Sequence, residues 1–225
     1  VAHRAGVPVI VDAAGQLPPA DNLKRFIAEG ADLVAFSGGK ALRGPQSSGI
    51  LCGRRALIEA AALQHLDLDI YFAQWNPPAS LIDKSRLPGA PHHGIGRPCK
   101  VGKEEIVGLL TALRLFVEED PQVRRGRWLG LMEALAAAIG ELPHARVMLA
   151  NDPKRSEIPL LALHLDEEAL GFSALELVKR LQDSSPGIHA NPSRVSEGVV
   201  LCGPMCLKES EAEIVGKRVR ELLKG

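Results

Sequence analysis

The sequence lacks the features that mark several specialised classes of protein. Aromatic residues make up only 4% of its 225 residues, and Lys plus Arg balance Asp plus Glu at 27 each. With zero formal net charge there is no overall field to attract a polyanion, so charge does not argue for nucleic-acid binding, although it does not exclude it. No uninterrupted apolar run reaches the roughly 18 residues of a transmembrane helix, so we expect no membrane partner.

Cysteine is also scarce, and several sequence signatures are missing. The four cysteines are too few for a disulfide scaffold, and none forms the Cys-x-x-Cys pair of a zinc ribbon. They are Cys52, Cys99, Cys202 and Cys206. We therefore expect reduced thiols, a cytoplasmic protein and no metal site. Ala41 follows Gly38-Gly39-Lys40 where an NTPase phosphate loop needs Ser or Thr, and no dinucleotide fingerprint is present.

What remains is an ordinary globular composition, with 46% hydrophobic and 24% charged residues. Apolar periodicity in the first half predicts strands and helices in the order of an α/β sheet, with strands at 7–11, 32–36 and 49–52 and helices at 21–29, 54–64 and 103–118. Beyond Asp120-Pro121, helix, strand, helix, strand and helix are predicted at 123–139, 158–165, 173–182, 199–202 and 209–223. We predict two domains, 1–119 with a mostly parallel sheet and flanking helices, and 120–225 as a small α+β domain.

Two stretches fall outside this regular pattern. The chain opens on Val1 rather than Met, within what reads as a last helical turn closed by Gly6 and followed at once by a strand. We therefore expect the chain to be the back portion of a longer protein. Residues 65–102 are irregular, and a structureless run of that length in a compact chain is typically functional or disordered.

Two strand ends carry the chemistry. The first predicted strand leads into Asp12, and the second leads into Ser37-Gly38-Gly39-Lys40. Ligands of open α/β sheets bind beyond the carboxyl ends of the strands, so a carboxylate and an amine can reach one ligand there. Pyridoxal 5'-phosphate needs this set: a lysine for its Schiff base, a carboxylate for its pyridine nitrogen, and hydroxyl and backbone donors for its phosphate.

Each residue alone has a simpler interpretation. Asp12 could cap a turn, and Lys40 could be a solvated surface lysine. A surface lysine has no need of an apolar strand and a Ser-Gly-Gly turn before it, so the set favours a cofactor site.

Three segments carry a resemblance to a known family. VIVDAAGQLPP, GADLVAFSGGKALRGPQSSGILCGR and GRPCKVGKEEIVGLL resemble the fold-type I pyridoxal-phosphate enzymes. The similarity is to the branch that holds selenocysteine synthase and the D-glucosaminate-6-phosphate ammonia-lyase-like proteins. The resemblance implies an aminotransferase-like large domain whose missing front half carries a second phosphate-binding loop and the group stacked on the cofactor ring. It also implies a homo-oligomer, since relatives build active sites between two subunits.

Carried over residue by residue, the resemblance makes Lys40 the Schiff-base lysine and Asp12 the partner of the pyridinium nitrogen. Ala14 would pack against the ring, and Ser37 would bind the phosphate. Gln16 would bond the phenolic oxygen, although it lies one position later than in the cysteine-desulfurase relatives.

Four further residues complete the expected site. Gly44 and Gln46 resemble a loop near the cofactor at the dimer interface. Arg97 is a candidate for the substrate's carboxylate or phosphate, which a guanidinium binds in bidentate fashion, and a loop arginine is the alternative. His93 could line the active site, although loop histidines are often only solvated.

The core residues do not fix the reaction, since Lys and Asp are common to several outcomes. We expect a pyridoxal-phosphate-dependent enzyme that acts at Cα and Cβ of a small amino acid or amino sugar acid, by β-elimination as in an ammonia lyase. The alternatives are a transferase acting on aminoacyl-tRNA, an aminotransferase, and a protein that keeps the fold without a competent site.

Overall fold

The computed structural model describes residues 1–152 and 156–224 and divides into two compact units, Val1–Glu118 and Glu119–Gly225. The division lies one residue before the end of the first predicted domain. Assignment of the first unit to a cofactor-binding large domain stays a prediction.

The first unit is built on a three-stranded sheet in the order β1-β2-β3. Its strands are β1 (Ile10–Asp12), β2 (Leu33–Ser37) and β3 (Gly49–Gly53), and its helices are α1 (Asn22–Ala28), α2 (Arg55–Gln64) and α3 (Lys103–Glu118). β1 runs parallel to β2, whereas β3 runs antiparallel to it. The prediction was a mostly parallel sheet, and one of the two strand pairings in this sheet is parallel while the other is antiparallel.

One face of this sheet forms the core of the first unit. Val34 and Phe36 of β2 are buried against α3, where Leu109 and Phe116 are also buried. Successive strand residues point to opposite faces, so the residues in register with Leu33 and Ala35 lie on the other face. That face is partly open: Ile10 is 67% and Leu51 44% exposed, whereas Leu33 is 8% exposed.

A buried carboxylate ties the N-terminal turn to the sheet. The side chain of Asp32, 5% exposed, accepts hydrogen bonds from the backbone N–H of Val9 (2.6 Å), from Nε2 of His3 (2.7 Å) and from Nη1 of Arg54 (3.0 Å). The Val9 bond and the two side-chain donors hold the pKa of Asp32 well below its usual range. The cluster fixes the chain just before β1 to the start of β2.

The second unit packs helices on an antiparallel sheet in the order β4-β5-β6. Its elements are α4 (Pro121–Ile139), β4 (Ala145–Ala150), β5 (Leu160–Leu165), α5 (Glu167–Leu170), α6 (Ala174–Gln182), β6 (Val199–Cys202) and α7 (Glu209–Lys224). Met132, Leu135, Leu161 and Leu177 are among the fully buried residues of its core.

Local signals set the helix ends of the second unit. The Asp120 carboxylate accepts from the N–H of Gln122 (2.7 Å), and Pro121 occupies the first turn, where its missing N–H costs nothing. Ser173 caps α6 by accepting from the N–H of Glu176 (3.2 Å). Gly216 allows α7 to approach α4, since a Cβ there would lie 3.0 Å from the backbone of Ala138.

Most predicted elements are present, with shifted ends. The first strand is Ile10–Asp12 rather than 7–11, and the helix predicted from residue 123 begins at Pro121. Sequence analysis missed β4 and the four-residue α5. Residues 65–102 contain three short 3₁₀ turns and no strand or α-helix. In the described residues, no helix is both long and apolar enough to cross a membrane.

Candidate active site

Two parallel strands deliver the candidate residues to one edge of the first sheet. Asp12 is the last residue of β1 and lies opposite Ala35, two residues before Ser37 ends β2. Because parallel strands end on the same side of a sheet, the turns that follow Asp12 and Ser37 emerge together. The edge is open to solvent, since Asp12 and Lys40 are both exposed.

The turn after β1 fixes one oxygen of the Asp12 carboxylate. The N–H of Ala13 donates to Ala35 O (2.9 Å), which prolongs the pairing one residue past the strand. Ala13 is fully buried, and the N–H of Ala14 donates to Oδ1 of Asp12 (2.9 Å). This local turn is the alternative role that the sequence allowed for Asp12. It leaves the second oxygen, Oδ2, without a hydrogen bond within the described residues.

Gln16 is held through its backbone, so its side chain stays available. Its N–H donates to Ala13 O (3.0 Å), and its carbonyl accepts from Nδ2 of Asn22 (2.6 Å). Asn22 is 6% exposed, at the start of α1. Sequence analysis missed this asparagine, whose only signal is a polar residue at a helix start.

A compact loop, residues 38–48, carries Lys40 between β2 and β3. Gly38 N–H donates to Ser48 O (2.9 Å), and Gly44 N–H donates to Gly38 O (2.8 Å). Nε2 of Gln46 donates to the carbonyl of Gly39 (2.8 Å). The structure therefore brings Gly44 and Gln46 against the residues that precede Lys40.

The glycines before Lys40 are required by close packing. A Cβ on Gly38 would collide with the Ser48 hydroxyl and lie 2.9 Å from Cδ1 of Leu109. A Cβ on Gly39 would lie 2.6 Å from Cα of Gln46. Ala41 and Leu42, which directly follow Lys40, are buried in the core of the first unit. The exposed Lys40 side chain is therefore carried on a closely packed part of the loop.

Several polar groups at this edge are free to bind a ligand. In residues 1–152 and 156–224, the Lys40 ammonium and the Ser37 hydroxyl make no hydrogen bond or ion pair. The backbone N–H groups of Gly39 and Lys40 likewise have no partner there. An amine, a carboxylate oxygen, a hydroxyl and two amides at one sheet edge match the donors and acceptors that pyridoxal phosphate requires.

Arg97 and His93 lie in the irregular segment and are organised by Asp67, a residue that sequence analysis missed. Nη1 of Arg97 donates to the Asp67 carbonyl (3.3 Å), and the N–H of His93 donates to the Asp67 carboxylate (3.1 Å). That bond is the main cause of the lowered pKa of Asp67. Beside them, His92 and His93 help to line a cavity of about 430 Å³. No hydrogen bond or ion pair among the described residues joins Arg97 or His93 to the Lys40 loop.

A metal centre receives no support from the described part of the chain. Its His, Cys, Asp and Glu side chains contain no group of three or more that could hold an ion.

Comparison with known proteins gives a family match and several relatives. Residues 4–69 match the model of the SelA family, L-seryl-tRNA selenium transferase. The chain is 33% identical over 223 residues to a 5'-C-glycyluridine monooxygenase-decarboxylase from a Streptomyces species, covering 99% of this chain and 48% of that protein. It is 27% identical over 222 residues to D-glucosaminate-6-phosphate ammonia lyase of Salmonella typhimurium, covering 99% and 50%.

A solved structure agrees with these sequence matches. The structure of D-glucosaminate-6-phosphate ammonia-lyase superposes with a TM-score of 0.69 at 26% identity, covering 99% of this chain and 51% of that one. The chain therefore spans about half the length of the relatives it matches. These findings confirm the resemblance to fold-type I pyridoxal-phosphate enzymes of the selenium transferase and ammonia-lyase branch, and the α/β aminotransferase-like fold class. They imply pyridoxal 5'-phosphate as the cofactor.

Proposed function

We propose that this chain supplies the lysine-bearing part of a pyridoxal-phosphate-dependent active site that carries out β-elimination on an amino acid or amino sugar acid. The observation that carries the proposal is the placement of Asp12, Ser37 and Lys40 at one sheet edge, each with a polar group free. Similarity to an ammonia lyase in both sequence and fold supports elimination over transamination.

Each residue of the edge has a proposed task. The amine of Lys40 holds the cofactor's aldehyde carbon, and the free oxygen of Asp12 keeps a proton on the pyridine nitrogen. The Ser37 hydroxyl and the N–H groups of Gly39 and Lys40 bind the phosphate. Ala14 packs against the ring and the Gln16 amide reaches the phenolic oxygen.

The cofactor, when bound, supplies an electron sink for the pair left by a broken bond at Cα. Lys40 would act as general base and accept the Cα proton of the bound amino substrate. The Cα–H electron pair then forms a double bond to Cβ, and the Cβ leaving group departs with its own bonding pair. Asp12 supports this step because its negative charge favours the protonated nitrogen.

For substrate recognition we propose Arg97 and His93. The Arg97 side chain is exposed and donates to the Asp67 carbonyl, so its remaining N–H groups can bind a carboxylate or phosphate. His93 is held beside it by the same aspartate. An anionic amino sugar acid would use both.

Because the chain spans about half of its relatives, we propose that a complete site includes groups from the other half and from a second subunit. Gly44 and Gln46, which belong to the loop that carries Lys40, would face that subunit.

Cofactor attachment tests the proposal directly. The chain is mixed with pyridoxal phosphate, treated with borohydride, and analysed by peptide mass spectrometry. We expect the reduced cofactor on Lys40, and no such adduct or near-visible absorbance band in Lys40→Ala. Lys24→Ala, at an exposed lysine of α1, is the matched control and should label like the wild type. Labelling spread over many lysines, unchanged by Lys40→Ala, would overturn the assignment.

A second reaction is favoured by the 33% identity to a monooxygenase-decarboxylase. Here the Cα–carboxylate bond would break and CO₂ would leave, one oxygen atom of O₂ would enter Cα to give a carboxamide, and the other oxygen atom would leave as water. Parallel assays with one amino acid panel separate the two: β-elimination releases a keto acid and ammonia without O₂ uptake, whereas the alternative consumes O₂ and releases CO₂.

A further inference from the structure

The turn that follows β1 is held from two sides. The N–H of Ala13 donates to the carbonyl of Ala35 in β2 (2.9 Å), and the carbonyl of Ala13 accepts from the N–H of Gln16 (3.0 Å). On the other side, Nδ2 of Asn22 donates to the carbonyl of Gln16 (2.6 Å). The backbone N–H and carbonyl of Gln16 are therefore both occupied, and the residue is fixed between β2 and the start of α1.

The side chain of Gln16 remains available beside this fixed backbone. Gln16 is exposed, whereas the next residue, Leu17, is 7% exposed and belongs to the core of the first unit. Within residues 1–152 and 156–224 the side-chain amide of Gln16 makes no hydrogen bond. A fixed backbone sets the place of this amide before a ligand arrives, which reduces the entropy lost on binding.

Asn22 carries a cost that stability alone does not explain. The residue is 6% exposed, and its Oδ1 is buried without a hydrogen-bond partner among the described residues. The contact with Gln16 fixes the orientation of the amide, because only its nitrogen can donate to a carbonyl. A buried acceptor without a partner opposes folding at least as strongly as one hydrogen bond favours it. Asparagine therefore adds little to stability here, and what it provides is the position of Gln16.

We propose that Asn22 is a positioning residue of the cofactor site, which holds Gln16 where its amide meets the phenolic oxygen of pyridoxal phosphate. This inference rests on the proposed function, since it needs the cofactor bound at Lys40. Asn22 acts through Gln16 and contacts neither cofactor nor substrate. Loss of Asn22 should therefore weaken cofactor binding while the stability of the fold changes little.

Cofactor titration of the chain tests this role. The chain is mixed with increasing pyridoxal phosphate and reduced with borohydride, and the fraction labelled at Lys40 is measured by peptide mass spectrometry. Asn22→Leu is close in size and lacks the unpaired oxygen. It should raise the half-saturating cofactor concentration about three- to tenfold, the equivalent of one hydrogen bond, with little change in the urea midpoint. Asn22→Ala, which is too small to clash, should weaken cofactor binding to the same extent.

The matched control is Leu23→Ala, at the next residue of α1. Leu23 packs against the core of the first unit, so its truncation should lower the urea midpoint and leave the half-saturating concentration unchanged. A rise in that concentration equal to the rise in Asn22→Leu would mean that any loosening of α1 weakens binding, and it would overturn the proposal.

Two further titrations separate an effect through Gln16 from a general one. In a Gln16→Ala background, Asn22→Leu should raise the half-saturating concentration no further, because the side chain it positions is gone. With a deoxy analogue of pyridoxal phosphate that lacks the phenolic hydroxyl, the wild type and Asn22→Leu should be labelled alike. A full additional loss in either titration would contradict a role through Gln16.

Hydrogen exchange without cofactor tests the fixed turn itself. The amide of Gln16 should exchange faster in Asn22→Leu than in the wild type, while the amides of β2 keep their rates. An unchanged rate at Gln16 would overturn the proposal. Labelling of the wild type at Lys40 with no effect of Asn22→Leu would overturn this proposal alone, whereas no labelling of the wild type at Lys40 would overturn the proposed function and this inference with it.

Discussion

The two units of the chain differ in how completely their sheets are covered. In the second unit, Leu161 and Leu163 of β5 are buried in the main core, and on the other face Ala162 and Leu201 are buried as well. In the first unit only one face forms a core, and Ile10 stands exposed on the other. The first unit, which carries the candidate site, therefore has a sheet that its own residues leave partly uncovered.

The strand directions explain why this matters. Sheets with parallel strands are normally buried on both faces, whereas antiparallel sheets tolerate an open face. The first unit contains a parallel strand pair, but one face of its sheet leaves the apolar side chains of Ile10 and Leu51 exposed. In the described residues, the edge of β1 away from β2 also has no strand beside it. A further layer of protein, from a longer chain or another subunit, would cover the open face of the sheet and the free edge of β1.

The largest expected effect comes from separating the two units. Expressed alone, residues 119–225 should unfold in one cooperative transition, because their core is complete. Residues 1–118 alone should show a weak or absent transition and bind a dye that reports exposed apolar surface. Urea titrations followed by circular dichroism measure both. If residues 1–118 unfolded as sharply as residues 119–225, the contrast between the units would be lost.

A pair of matched leucine substitutions sharpens the comparison at single residues. Leu135→Ala in α4, where the side chain is 1% exposed, should lower the free energy of unfolding of the second unit by about 2–5 kcal/mol. Leu51→Ala in β3, 44% exposed, should cost under about 1 kcal/mol, because little surface leaves water there. Chemical denaturation of the whole chain provides both values. Equal losses would mean that Leu51 is covered in solution.

Acid should affect the first unit through Asp32. The pKa of this carboxyl is lowered in the folded state, so its stabilisation is present above the ordinary value near pH 4 and is lost as pH falls through the lower folded value. Asp32→Asn should therefore destabilise the first unit at neutral pH and flatten its acid dependence. Urea midpoints from pH 7 down to pH 3 measure this.

The control for the acid test is Asp21→Asn, at an exposed aspartate whose side chain accepts no hydrogen bond within the described residues. It should leave the urea midpoints and their acid dependence as in the wild type. A response to Asp21→Asn equal to that of Asp32→Asn would place the acid sensitivity elsewhere.

Sequence predicts the elements of this fold better than it predicts their contacts. Apolar runs and helical periodicity located β2, α3 and α4, because burial of one face leaves a regular pattern. β4 was missed because Ala145–Ala150 is a partly exposed edge strand with an arginine, so its apolar signal is diluted.

The site shows the same limit. Asp12 and Lys40 stand out because each follows an apolar strand, and their proposed roles stay predictions. Asp67 and Ser48 were not predicted, since their partners lie distant in sequence or depend on how a loop closes. Local patterns indicate which residues end a strand, and only the folded chain shows what holds them.

The smallest expected effect on stability has the clearest consequence for the site. Gln46→Ala removes one exposed hydrogen bond to the Gly39 carbonyl, which should cost at most about 1 kcal/mol of unfolding free energy. That bond nevertheless orients the turn directly before Lys40, so the fraction of cofactor trapped on Lys40 by borohydride should fall. Ser47→Ala, a neighbouring exposed residue with no hydrogen bond from its side chain within the described residues, should change neither quantity. Loss of trapping without loss of stability would show that the hydrogen bond from Gln46 to Gly39 positions the Lys40 loop without contributing measurably to the stability of the fold.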